Sequence, residues 1–232
     1  MTRYRFVRQL RVAFWLPFLA YVYLAHPRER RYWREWLRQT IDGISPIDAA
    51  APFMSFRARD WLENFLSSKD RRVFEWGSGG STLFLASRAR ELVTIEHDPT
   101  WYEIVSRHLS SFASENCTIR HIPPSTSSSE PIYRSERKPQ WSFRDYVRAI
   151  DSYPDGYFDL VIVDGRARPA CIRHARPKVA PGGAIILDDS GRRRYQNAVR
   201  EMDQTGWIKV DLSGVKPGGP AIHHTTAWVR PR

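Results

Sequence analysis

From residue 73 onward, short apolar runs alternate with stretches of helical periodicity, and that alternation restricts the chain to very few architectures. The runs at 73–76, 92–95 and 117–122 predict strands, and the segments between them at 82–90 and 100–112 predict helices. Strands and helices in strict alternation build a parallel sheet through crossover helices, so the fold class is α/β. The series pauses at 123–140, PPSTSSSEPIYRSERKPQ, where Pro, Ser and charge argue against a regular element and predict a long loop of the kind that forms lids. Beyond it the sequence predicts a helix at 142–150 capped by Ser142, a strongly apolar strand FDLVIV at 158–163 and a helix at 169–178. A turn at Pro181-Gly182-Gly183, a strand at 184–187, a helix at 194–204 and strands at 207–212 and 225–229 complete a set of seven strands, with no internal repeat.

The chain before this series reads differently. Residues 1–50 form a basic and aromatic helical extension, and 51–232 form one domain, for which 42% hydrophobic residues supply a single sizeable core. Arg3, Arg5, Arg8 and Arg11 precede the apolar run VAFWLPFLAYVYLA at 12–25, which is shorter than the roughly 20 residues of a membrane span. The run is rich in Trp and Tyr, contains Pro17 and lacks a small-residue cleavage site, so it does not read as a signal peptide. Two readings stay open: an amphipathic segment in an anionic membrane interface, or a helix packed on the domain's own surface or on a second subunit. Residues 29–39 place Tyr32, Trp33, Trp36 and Leu37 on one stripe of a surface helix, which Ser45-Pro46 breaks. Ser55 then caps a helix carrying Phe56, Trp61, Leu62, Phe65 and Leu66. A formal charge of +11 attracts phosphate, anionic lipid or an acidic substrate, but it is spread along the chain without an interleaved basic and aromatic pattern, which argues against nucleic acid. Cys117 and Cys171 lie far apart without metal-ligand spacing and point to a reduced, cytoplasmic setting.

Four segments carry chemistry. In VFEWGSGGSTLFLA the first strand ends at Glu75 and is followed by Gly77, Gly79 and Gly80 before a helix opens at Ser81-Thr82. Glycines let a ligand approach the backbone, and the helix N-terminus offers free N–H groups to a carboxylate or phosphate. Glu75 would repel a pyrophosphate but can accept hydrogen bonds from an ammonium, directly or through water; alternatively it caps the turn. Glu96, in VTIEHDPTWYEI, stands at the end of the second strand, where an acid accepts the hydroxyls of a ribose. His97 beside it lines a base pocket or is a solvated loop residue. Asp164 is delivered by FDLVIV to the carboxyl edge of the sheet, with Arg166 and Arg168 after it, and Asp188 and Asp189 leave the next strand at the same edge. Three such carboxylates could hold a divalent cation, or act as one base and two capping acids.

The succession EWGSGGST, TIEHD, FDLVIVDGR and PGGAIILDD resembles the motif series of class I S-adenosylmethionine (SAM)-dependent methyltransferases over residues 55–229, leaving the first fifty unmatched. That resemblance implies a Rossmann-like, mostly parallel seven-stranded sheet with helices on both faces, plus an N-terminal helical extension. It assigns Glu75, Gly77, Ser78, Gly79, Gly80 and Ser81 to the methionine end of SAM, Glu96 to its ribose and Asp164 to contact with cofactor or substrate; His97, from its place beside the second strand end, is the candidate for the adenine pocket. The spacing of Asp164, Asp188 and Asp189 is similar to the metal site of catechol and macrolide-sugar O-methyltransferases, which raises Mg²⁺ as a second cofactor. In the former the last position is often Asn, and the residues after Asp164 differ. EWGSGGST also resembles a group that methylates plant glucuronoxylan. The expected reaction is O-methylation of a sugar, glycolipid or small-metabolite hydroxyl, with Asp164 or Asp189 as base and Arg166 as the anchor of an acidic acceptor, acting alone or as a homo-oligomer. A nicotinamide-dependent oxidoreductase would use a similar turn, although the glycines here run G-x-G-G and not G-x-G-x-x-G. A catalytically silent interaction module would keep the fold without the chemistry.

Overall fold

The strands are apolar on both faces, and the fold answers by covering both. A computed structural model describes residues 13–111, 115–126, 130–134, 138–219 and 221–232, the side chain at position 18 excepted. Strands β1 (Arg72–Trp76), β2 (Glu91–Glu96), β3 (Cys117–His121), β4 (Phe158–Val163), β5 (Val179–Leu187), β6 (Ile208–Asp211) and β9 (Thr226–Val229) form one seven-stranded sheet in the order β3-β2-β1-β4-β5-β9-β6. All pairings are parallel except the two made by β9.

Successive strand residues point to opposite faces. Val73, Leu92, Leu160, Ile162 and Ile186 pack against helices α3 (Phe56–Phe65), α4 (Gly80–Ala86) and α5 (Pro99–Ser111). Phe74, Trp76, Val161, Val163 and Trp228 pack against α6 (Arg144–Arg148), α7 (Arg168–Lys178) and α8 (Gln196–Asp203). The Rossmann-like architecture read from the sequence is therefore present, with helices on both faces.

Several local expectations need correction. Pro181-Gly182-Gly183 is no turn; it lies inside β5, whose register to β4 jumps from Phe158↔Val179 to Leu160↔Ala184, and the three residues form the bulge that absorbs the jump. The 142–150 helix is only Arg144–Arg148, because Ser142 is held by backbone pairing to Ser125 and Phe143 by Tyr133 O. That pairing pins the described part of the 123–140 loop, which also contains a 3₁₀ turn, Pro131–Tyr133, with the Tyr133 hydroxyl 3.0 Å from His174 Nε2. Residues 127–129 and 135–137 lie outside the described residues. A two-stranded ribbon of β7 (Gly214–Val215) and β8 (Ile222–His223), too short for any periodicity, was not foreseen.

In the extension, α1 (Leu16–Ala25) is followed by a 3₁₀ segment, Pro27–Tyr32, and α2 (Trp33–Asp42), closed by Gly43 at φ 65°. The expected single helix at 29–39 is thus divided. Helix α1 is apolar around its whole circumference and not amphipathic, because the run supplies no charged residue; Leu19 and Val22 turn inward against Tyr32, Trp36, Phe56 and Val215. The basic residues before it lie outside the described residues. Glu29, buried, accepts a hydrogen bond from Val215 N at 3.0 Å, Arg59 pairs with Glu35 at 2.7 Å, and Trp36 Nε1 donates to Gly219 O at 3.2 Å, so the extension is fastened to the sheet domain. No helix among the described residues is long and apolar enough to cross a membrane.

Candidate active site

The strand order reverses at β1 and β4, and at such a switch point the loops leaving the carboxyl ends diverge and open a crevice. Each ladder runs one step past its strand: Gly77 N donates to Ile95 O, Asp164 N to Trp76 O and Asp188 N to Val163 O. Glu75, Glu96, Asp164, Asp188 and Asp189 therefore arrive at one edge, as the sequence implies.

Glu75 sits opposite Thr94 in the β1–β2 ladder and is fully buried. Its Oε2 accepts from Thr82 Oγ1 and Thr94 Oγ1, both at 2.7 Å, while Oε1, also buried, has no well-aligned partner among the described residues. Burial pushes its pKa up to about 7 against the pull of the Ser81, Thr82 and Thr94 hydroxyls. Thr82 also accepts from Gly79 N at 2.9 Å, so one hydroxyl closes the turn and orients the acid.

The glycines divide into two kinds. A Cβ on Gly77 (φ 95°) would stand 2.9 Å from Gly165 Cα, and one on Gly80 would stand 2.1 Å from Pro46 O, so both are required by packing of backbone on backbone. At Gly79 the nearest atom is the Trp101 ring at 3.8 Å. Trp101, which the sequence did not single out, lies over the turn and donates from Nε1 to Ser78 O at 2.6 Å.

Glu96 is buried, and it is this acid, not Glu75, that caps the turn. Oε2 accepts from Ser78 N at 2.9 Å and Ser78 Oγ at 2.8 Å, and Oε1 accepts from His97 N at 2.7 Å and Asp98 N at 2.9 Å. Burial alone would raise its pKa, but the bonds from His97, Asp98 and Ser78 hold it near 2. His97 Nδ1 is 2.7 Å from Glu96 Oε1, and His97 Nε2 accepts from Arg166 Nε at 3.1 Å, so Glu96, His97 and Arg166 form one chain of contacts. Its ring meets Phe143 edge-on at 5.6 Å, which makes it a packed wall residue and not a solvated one.

At the β4–β5 end the three aspartates can bring carboxylate oxygens within 4.8 Å of one another. Arg168 stands among them. Its Nη2 donates to Asp164 Oδ1 at 2.8 Å and Asp164 O at 3.0 Å, Nη1 donates to Asp188 O, and ion pairs run to Asp188 at 4.0 Å and Asp189 at 3.5 Å. Arg168 thus supplies, from within the chain, the positive charge that such a cluster demands and that the Mg²⁺ raised by their spacing would otherwise bring. Burial first, then the charge of Asp188, raises the pKa of Asp164, with Arg168 opposing. Asp189 is held at about 2 in spite of burial by His223, Arg168 and Arg192.

Outside this edge opens a cavity of about 610 Å³. Arg134, Lys138, Arg166, Arg168, Arg192 and Arg194 line it, with Asp98 as the acid on its wall, and Trp141 and Phe143 supply apolar surface. Sequence reasoning named Arg166 and the strand-end acids, which the fold brings to this edge; it passed over Thr94 and Trp101, whose contacts depend on strand register and on a helix folding back.

No protein-family model matches the sequence, and no curated protein is significantly similar to it. Solved structures do match. An O-methyltransferase from Bacillus cereus in complex with SAH aligns with a TM-score of 0.55 at 18% identity, covering 75% of this chain and 80% of that one. An rRNA methylase from Streptococcus thermophilus aligns with a TM-score of 0.52 at 11% identity over 74% and 95% of the two chains. For a putative O-methyltransferase from Klebsiella pneumoniae the values are 0.50, 19%, 75% and 79%. The chain has the Rossmann-like fold of class I methyltransferases.

Proposed function

We propose that the protein is a SAM-dependent methyltransferase whose acceptor is a hydroxyl of a sugar, glycolipid or small metabolite that also carries an anionic group. The observation that carries the reading is Glu75: a buried carboxylate with one unpaired oxygen, directly beneath a glycine-containing strand-to-helix turn and beside a second buried acid, Glu96. An unpaired buried acceptor is costly and calls for a donor, which the ammonium of a methionine moiety provides. The likeness to an O-methyltransferase in complex with SAH supports the same cofactor.

Glu75, Ser78, Gly79, Ser81 and Glu96 would hold the cofactor, which when bound supplies a methyl group already activated on a sulfonium. The chain's work is then to bind, orient and exclude water. Ser78 Oγ and N occupy one oxygen of Glu96, so ribose hydroxyls reach that acid when the Ser78 turn yields. For the acceptor, Arg166 is oriented by His97, while Arg192 and Arg194 extend the cationic wall, and guanidinium groups match carboxylate or phosphate oxygens two at a time. The role of base, open between Asp164 and Asp189, falls to Asp164. Its raised pKa makes it the stronger proton acceptor, whereas Asp189 near 2 is a poor base at neutral pH and acts as counter-charge to Arg168 and Arg192.

Calorimetric titration of the full chain with SAM, SAH and NAD tests the reading. Binding of the first two and not the third is the expected result. NAD binding alone would replace the assignment with a nicotinamide-dependent oxidoreductase, and no binding at all would remove the cofactor.

A further inference from the structure

Among the described residues, helix α1 is buried along one line only. Leu19 and Val22 are buried, yet Phe14 just before the helix is 84% exposed, Leu16 and Tyr21 59% each and Leu24 71%. Contiguous apolar surface of this kind on a folded chain marks a place that something covers. Charge says what. Residues 1–28 contain Arg3, Arg5, Arg8, Arg11 and Arg28 and no Asp or Glu. At the far end Arg30 lies 4.7 Å over the Tyr23 ring, and Tyr23 meets Trp33 edge-on at 6.0 Å, so the apolar face is rimmed by aromatic rings with a guanidinium against them.

We infer that α1 is an interfacial anchor that seats the protein on anionic lipid bilayers. Its ten residues extend about 15 Å, half the thickness of a hydrocarbon core, so the helix lies in the interface and does not cross it. Phe14, Leu16 and Leu24 enter the acyl boundary, Tyr21 and Tyr23 sit at headgroup level, and the net positive charge of residues 1–28 is attracted by lipid phosphate. A second copy is the poorer occupant: residues 1–28 carry five arginines and no acid, so bringing two such segments together adds like charge with nothing in either to answer it. The inference is independent of the methyltransferase reading.

Flotation of the full chain with phosphatidylcholine vesicles, with and without phosphatidylglycerol, at low and high salt tests it. The wild type should float with the anionic vesicles at low salt and stay behind with the neutral ones. Phe14→Ser/Leu16→Ser/Leu24→Ser, at exposed positions, should abolish flotation while the melting temperature stays that of wild type. Arg3→Gln/Arg5→Gln/Arg8→Gln/Arg11→Gln leaves the apolar face untouched and should weaken partitioning by about fivefold per arginine. A wild type that remains at the bottom with anionic vesicles at low salt overturns the inference. So does a dimer in sedimentation velocity that the triple serine variant dissociates, since the face is then covered by a second copy.

Discussion

Glu75 stores a proton where a ligand's charge is expected, and that couples binding to pH. An unfolded glutamate ionises near 4.5, whereas burial holds Glu75 to about 7. The stability carried by the retained proton is full below the unfolded value and is lost as pH rises through about 7. An ammonium beside Oε1 favours the carboxylate instead, so cofactor binding expels the proton. SAM affinity should rise by up to about tenfold per pH unit below 7 and level off above it, and Glu75→Gln should flatten the profile. Calorimetry in two buffers of different ionisation enthalpy reads the released proton directly; an enthalpy independent of buffer near pH 6 would refute the coupling. Arg168 makes the complementary case, a fixed cation among Asp164, Asp188 and Asp189. Arg168→Ala takes the ion-pair partner from Asp164 and one cation from Asp188 and Asp189, which keep Thr225 and Arg192, and should cost about 1–3 kcal/mol. Mg²⁺ should then raise the melting temperature of the variant and leave the wild type where it was. A wild-type melt that Mg²⁺ raises would mean that the cluster takes the ion beside its arginine.

Helix α4 opens where its first residue touches the end of the extension and the residue just after it. A methyl group at Gly80 would meet the carbonyl oxygens of Pro46 at 2.1 Å and Ala51 at 2.4 Å, both backbone and neither able to swing aside. Gly80→Ala should therefore destabilise by about 1–3 kcal/mol, measured by denaturant unfolding; a neutral result would show that the 46–51 segment gives way. The same residue marks a limit of sequence reading. A glycine that admits a ligand and a glycine that admits a neighbouring carbonyl look identical in EWGSGGST, because both uses ask only for a missing Cβ. Strand β4 was legible as FDLVIV, since burial on both faces writes an unbroken apolar run. Strand β5 was half hidden, because Pro181-Gly182-Gly183 carries turn chemistry while its backbone bulges within a nine-residue strand. Ser55 was readable as a cap because the bond it accepts, from Ala58 N at 3.0 Å, is local.

Across the whole molecule, alternation of strands and helices sufficed to bring the five acids to one edge, since a parallel sheet sends every strand end the same way. What each acid does there was not legible. Glu96 is claimed by Ser78, eighteen residues earlier in the chain, and Arg168 reaches across to Asp188 and Asp189 on the next strand. Such partnerships depend on how the loops cross beyond the strand ends, which no local pattern encodes. The contacts of Glu29 with Val215 and of Trp36 with Gly219 span 186 and 183 residues, among the longest separations in the fold. On a ribosome the first helix among the described residues is made well before part of its cover, which lies more than 180 residues further on. At about 5–20 residues per second, Leu19, Val22 and Trp36 wait roughly 10–40 s for the ribbon that closes over them. During elongation the apolar helix is thus offered to whatever surface is nearest, before the domain that will carry it exists.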